Sequence, residues 1–219
     1  MSVPVGDYAP PTGPLVVLHE DHELLFVEKP HGLLSVPGRG EHLRDSLQTR
    51  VAAAWPQSLL VHRLDRDTSG VMVFALSPQA QRHLGLQFER RVPKKVYVAR
   101  VWGRLEPKEG TVDLPLIVDW PNRPKQHVDR ERGKPAVTDW RVVRASDAET
   151  RVRLMPKTGR SHQLRVHMRE MGHPILGDPF YAEGPARDAH PRLMLHAESL
   201  RLRHPDGGRW MQVSSKAPF

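Results

Sequence analysis

An α+β fold built on a mixed, largely antiparallel sheet is what this 219-residue sequence predicts. Apolar runs of strand length succeed one another across short turns rich in Gly, Pro, Asp and Ser, the pattern of consecutive strands. Only three segments space their apolar residues as a helix does, so strands predominate and helices are few.

Residues 1–14 carry Pro4, Pro10, Pro11 and Pro14 and read as a flexible arm, with order beginning at Leu15 and one domain filling 15–219. LVVLH and LLFVEKP, separated by Glu20 to Glu23, form a hairpin, and HGLLSVPGRG after them is a loop punctuated by Gly and Pro. From Leu43 to Trp55 the residues Leu43, Leu47, Val51 and Ala54 predict a helix that Pro56 stops. VMVFAL, Val71 to Leu76, is a buried strand bounded by turn residues. Ser77-Pro78 supplies an N-cap and first-turn proline for a helix through Phe88. VYVARVWG, Val96 to Gly103, alternates as a strand does, and TVDLPLIV, AVTDWRVV and TRVRLMP are further strands. SHQLRVHMREMG places Leu164, Met168 and Met171 on one helical face, with Gly172 as the stop. RLMLHAESLRLRH supplies one or two closing strands.

At 38% hydrophobic residues the composition is that of an ordinary globular protein. Lys and Arg number 33 against 25 Asp and Glu, a net +8 with His neutral, which favours a polyanionic partner, nucleic acid first. With no Cys, disulfides, thiolate metal sites and cysteine nucleophiles are excluded. No apolar stretch approaches the roughly 18 residues that cross a bilayer, and the opening MSVPVGDYAPP lacks the charged and apolar regions of a leader, so a soluble cytoplasmic protein without membrane contact is expected. The 13 His are scattered, HExxH is absent, and His162 and His167 do not share a helical face, so no metal site is expected. GxSxG, GxxxxGK[ST] and GxGxxG are absent too, which leaves a hydrolase triad, nucleotide hydrolysis and a dinucleotide enzyme unsupported.

The chemistry gathers in three places. HRLDRDTSG, His62 to Gly70, sets Asp65 among cations in a loop that enters the buried strand. By itself such an Asp is commonly a cap or a surface ion pair. Two stretches carry cations and no acid: Arg90, Arg91, Lys94, Lys95, Arg100 and Arg104 in one, Arg151, Arg153, Lys157, Arg160, Arg165 and Arg169 in the other. Each reads either as a solvated face or as part of a phosphate-binding cleft. The first holds Tyr97, and the second holds Arg165 beside the apolar face of the last helix.

HRLDRDTSG, PKKVYVARVWG and GRSHQLRVH together resemble the motifs of the RluA family of RNA pseudouridine synthases, over nearly the whole chain. The resemblance implies a catalytic domain on a long, bent, mixed sheet with flanking helices and a cleft across it. It implies catalysis by Asp65, acting on the ribose as a nucleophile or by proton removal. Tyr97 would stack on the target base and help proton transfer, and Arg165 would pair with Asp65 to keep it ionised. Arg63 would fill the space left by a flipped base. His62 would stand beside it, and Leu195 would wall the base pocket. Arg160 would contact phosphate or order its loop. DWPNRPKQ and GKPAVT would contribute to RNA binding through Arg123 and Lys125. Tyr97 and Leu195 also have ordinary core readings, and His62 a structural one. No cofactor is called for. The absence of an N-terminal RNA-binding domain and the DWPNRPKQ string narrow the resemblance and imply two substrates, a stem-loop of 23S rRNA and the anticodon stem-loop of certain tRNAs; nothing in the sequence demands more than a monomer. A non-catalytic RNA-binding module and a metal-dependent nuclease are the competing readings.

Overall fold

The computed structural model describes residues 8–219, which divide into two compact units. Of these residues, one unit takes 8–95 and 196–218, and the other takes 96–195 and Phe219.

In the first unit, β1 (Val16–Glu20) and β2 (Leu24–Lys29) form the expected antiparallel hairpin. Asp21 closes its turn by accepting from the Glu23 and Leu24 amides at 3.0 and 2.9 Å. β2 pairs with β4 (Ser69–Ala75), whose other edge meets β3 (Leu59–Leu60) at its end and, in parallel, β11 (Leu195–Arg203) at its start. β12 (Trp210–Ser214) pairs with β11. The central strands are apolar at successive positions because both faces are covered. Leu24, Phe26, Val71 and Val73 pack with Ala80 and Leu84 of α2 (Pro78–Glu89) on one side. Leu25, Val27, Met72 and Phe74 pack with Leu47 and Val51 of α1 (Leu47–Ala54) on the other. Each such side chain contributes about 1.5–3 kcal/mol when fully buried.

α1 starts four residues later than its apolar spacing suggests. Ser46 is the N-cap, accepting from the Thr49 amide while Thr49 Oγ1 accepts from the Ser46 amide, and Glu41–Leu43 forms a separate 3-10 turn. Ser77 caps α2 as expected, by accepting from the Ala80 amide at 3.0 Å. Part of the segment read as a loose arm is tied down: the Tyr8 hydroxyl donates to the Asp45 carbonyl and accepts from the Leu34 amide, and Arg50 donates to the Pro11 carbonyl. Residues 1–7 of that arm lie outside the described residues.

In the second unit β5 (Lys94–Trp102, from Val96 on), β10 (Glu149–Pro156), β9 (Val137–Ala145) and β6 (Glu109–Asp113) follow one another as an antiparallel sheet. TVDLPLIV is not one strand. Pro115 has no N–H to give a ladder, and the chain breaks there into β6 and β7 (Leu116–Val118), which pairs with β8 (Gln126–Val128) as a separate hairpin. One sheet face buries Ala99, Val101, Val152 and Leu154 against Leu164 and Met168 of α3 (Gln163–Glu170). A short α4 (Gly184–Asp188) adds Ala186 to the same core. Leu164, Met168 and Met171 face that core as expected, yet Arg165, Val166 and His167 are buried as well, so α3 is enclosed on most of its circumference.

Candidate active site

Asp65 lies half-buried in the loop between β3 and β4, and the segment Lys29–Ser35 holds that loop by its backbone. Lys29, fully buried, donates from Nζ to the carbonyls of Pro30, Leu33 and Arg66 at 2.9, 2.7 and 2.7 Å. The Gly32 amide also donates to the Arg66 carbonyl, and His31 Nδ1 lies 2.7 Å from the Asp67 carbonyl. Ser35 Oγ donates to the Leu64 carbonyl at 2.6 Å and accepts from the Leu64 amide at 3.1 Å. The Asp65 carbonyl accepts from the Thr68 amide. Successive carbonyls on both sides of Asp65 are thus satisfied, which fixes the course of a loop that would otherwise be mobile. Arg66, next to Asp65 in sequence, pairs with Asp67 at 2.8 Å.

The end of the signature is equally constrained. Gly70 has φ +120°, and a Cβ there would sit 2.3 Å from the Ala197 carbonyl oxygen, so only glycine allows the close parallel approach of β4 and β11. Ser69 Oγ lies 2.9 Å from His196 Nδ1, and His196 Nε2 lies 3.1 Å from the Ser215 carbonyl. Because a carbonyl only accepts, Nε2 carries the proton and Nδ1 accepts from Ser69. This buried Ser and His pair joins strands and has no exposed nucleophile.

His62, expected among the substrate contacts, is held by the protein framework. Its Nε2 accepts from the Val73 amide at 3.1 Å, and its ring stacks on Phe88 with centroids 4.9 Å apart. Burial, with the Lys95 charge adding to it, holds its pKa down to about 3, so the imidazole stays neutral at physiological pH. Arg63, beside it, is exposed.

In the second unit Tyr97 is half-buried on β5, opposite Leu154 and packed against the core under α3. Arg165, 1% exposed, makes a two-pronged pair with Asp178: Nε to Oδ2 at 2.8 Å and Nη2 to Oδ1 at 2.6 Å. Asp178, also fully buried, accepts in addition from the Phe180 and Tyr181 amides. The guanidinium carbon lies 5.0 Å from the Phe180 ring centroid and 5.2 Å from that of Tyr181. Tyr181 in turn accepts from the Gln126 amide, and its hydroxyl lies 2.7 Å from His162 Nδ1. Sequence reasoning missed Asp178; the signal was there as a lone acid inside the apolar run ILGDPFY, where a buried carboxylate needs a cation.

Arg160 Nε donates to the Pro135 carbonyl, and its amide donates to Gln163, which also bonds Thr158 and Thr138. Leu195, 2% exposed, is part of the core cluster. Arg123 stacks over the exposed Trp120 at 4.6 Å, and Lys125 bonds through its backbone to Asp119 and Asn122.

The two basic stretches are far less cationic in three dimensions than in one. Arg100 pairs with Glu149, Arg104 with Asp147, Lys157 with Asp139, Arg165 with Asp178 and Arg169 with Glu170. Glu170 is the next residue on α3, but Glu149, Asp147, Asp139 and Asp178 lie elsewhere in the chain, on strands, turns and loops that a linear count of each stretch does not see. Among the described residues no helix is long and apolar enough to cross a membrane.

Comparison with known proteins gives these residues a setting. The family model of RNA pseudouridylate synthase matches residues 23–170. The dual-specificity RNA pseudouridine synthase RluA of Escherichia coli O157:H7 is 57% identical over 97% of this chain and 98% of its own length. That of Pasteurella multocida is 51% identical over the same shares. Among solved structures, human RNA Pseudouridylate Synthase Domain Containing 1 superposes with a TM-score of 0.79 at 30% identity, covering 96% of this chain and 87% of that one. Both the matched segment, which takes in the Asp65 loop and Arg165, and the likeness over almost the full length make this chain a member of the RNA pseudouridylate synthase family.

Proposed function

We propose that this protein isomerises uridine to pseudouridine in structured RNA, with Asp65 as the catalytic residue. The observation that carries this reading is the clamp on the Asp65 loop. A carboxylate that served only as a surface partner would not need Lys29, His31, Gly32 and Ser35 to fix the backbone around it.

The chemistry is redox-neutral. Asp65 acts on the ribose, by attack at the anomeric carbon or by removal of the adjacent ribose proton, and the bond to the base nitrogen breaks. The freed uracil turns and rejoins through a ring carbon; that carbon gives up its proton and the nitrogen ends with one, so atoms balance and no cofactor is consumed. Tyr97 holds the freed base through its ring, and its hydroxyl moves a proton. Arg165 keeps Asp65 ionised. Held by Asp178 and flanked by two rings, its guanidinium has lost most rotamer freedom before any substrate arrives. Arg63, exposed two residues before Asp65, fills the space of the extruded base.

The dual specificity in the relatives' names supports two RNA substrates for this chain, and we take them to be a 23S rRNA stem-loop and the anticodon stem-loop of certain tRNAs. We place the protein in the cytoplasm as a monomer. The test is to supply transcripts lacking pseudouridine, in EDTA, and to map the product by chemical labelling. Conversion at one loop uridine in each RNA is expected. Cleaved RNA would favour a nuclease, and bound but unmodified RNA a non-catalytic module.

A further inference from the structure

Among the described residues Trp120 is the most exposed large hydrophobic, at 63%, on the loop that joins β7 to β8. Nothing in the catalytic account uses it. Its loop is ordered: the Asp119 amide donates to the Lys125 carbonyl, the Asn122 and Lys125 amides donate to the Asp119 and Asn122 carbonyls, and Asn122 Nδ2 donates to the Asp119 carboxylate at 2.9 Å. At the hairpin's base the Gln126 amide donates to the Tyr181 hydroxyl at 2.8 Å. A flat apolar ring is therefore held in water on a braced turn, where burial offers it no return.

The arrangement around the ring suggests its use. The Arg123 guanidinium lies 4.6 Å from the ring centroid and covers one face; at 63% exposure the other face cannot be covered as well. Trp210 shows the contrast, with Arg201 and Arg203 at 4.8 and 4.2 Å from its centroid and an exposure of 37%. An indole with one bare face, a guanidinium on the other and Lys125 in the same turn offers a π-platform beside two cations. That is the chemistry that takes an unpaired base together with its phosphate, since unstacked bases lie on aromatic and guanidinium planes.

We infer that Trp120 is a stacking platform for an unpaired nucleobase of the substrate RNA, outside the nucleotide that is isomerised. The inference rests on RNA being the substrate. It assigns Trp120 to affinity and loop selection, with Arg123 and Lys125 on the adjoining phosphates.

The experiment measures equilibrium binding of an unmodified tRNA anticodon stem-loop by wild type, Trp120→Ala and Trp120→Phe, with pseudouridine formation by wild type followed alongside. Each unpaired loop nucleotide is also replaced in turn by an abasic one. Trp120→Ala is expected to bind about ten-fold more weakly, and Trp120→Phe to regain most of that loss. One abasic position should weaken wild type by the same factor and leave Trp120→Ala indifferent. Binding by Trp120→Ala within two-fold of wild type, or equal losses by both proteins at every abasic position, would overturn the inference. Stacking without product from wild type would instead overturn the catalytic reading and leave the platform standing.

Discussion

Replacing Asp178 by alanine should take from the buried Arg165 guanidinium its two-pronged partner. Both side chains are buried, at 1% and 0% exposure, and the pair shares two hydrogen bonds of 2.8 and 2.6 Å. Removing one member of such a pair costs about 3–5 kcal/mol, because the charge left behind is buried and has lost its two-pronged partner. Two amides, of Phe180 and Tyr181, lose their acceptor in the same substitution. For a chain of this length about 1 kcal/mol moves the melting temperature by roughly 2–4 °C, so a fall of about 10 °C is expected. The single variant Arg165→Met and the double variant Arg165→Met with Asp178→Ala close a cycle; the double removes both charges and should recover part of that loss while remaining inactive. Thermal unfolding by circular dichroism reads all the variants, and the double-mutant cycle should give a coupling of about 2 kcal/mol or more. A shift below about 2 °C for Asp178→Ala, or a double variant whose losses simply add, would refute the claim that this pair is a buried, mutually dependent unit.

Lys29→Met should remove the ammonium that binds the Pro30, Leu33 and Arg66 carbonyls, at about 1–3 kcal/mol for each acceptor left unsatisfied, and lower turnover by loosening the Asp65 loop. Unchanged stability would contradict it. His62 predicts a pH dependence. Its imidazole takes a proton near pH 6.5 when unfolded but only at about 3 when folded, so between these values the unfolded chain binds one more proton and stability falls as pH falls. At pH 5 the loss is about 2 kcal/mol. Urea midpoints at pH 7.5 and 5 should therefore lie closer together in His62→Gln than in wild type, and an equal spacing would sink the assignment.

Much of the fold was legible because local signals and burial agreed. Ser77-Pro78 marked the start of α2, and the apolar runs around Phe26 and Phe74 marked strands covered on both faces. The signature loop was legible for a different reason, since Gly70 is demanded by a backbone contact with Ala197 that admits no side chain. What escaped was long-range polar pairing. Lys29 carries no sequence mark of its role, because its partners are carbonyls, which every residue has. Arg100, Arg104 and Lys157 read as uncompensated cations, on a solvated face or in a phosphate-binding cleft, because the acids that neutralise them come from other strands and turns. Asp178 escaped likewise, although it is what holds Arg165. His62 shows the same limit from the other side: nothing in the signature says that its ring stacks on Phe88 or that its Nε2 accepts from the Val73 amide.

The central claim is that Asp65 performs the chemistry while the rest of the site binds and orients the RNA. The most direct measurement is single-turnover pseudouridine formation on an unmodified stem-loop in EDTA, by wild type and by Asp65→Asn, with RNA binding measured on both. The account predicts conversion by wild type, and an Asp65→Asn protein that folds, binds RNA with affinity close to wild type and forms no detectable product. Turnover by Asp65→Asn within about ten-fold of wild type, a loss of only about 1.4 kcal/mol of transition-state stabilisation, would contradict it.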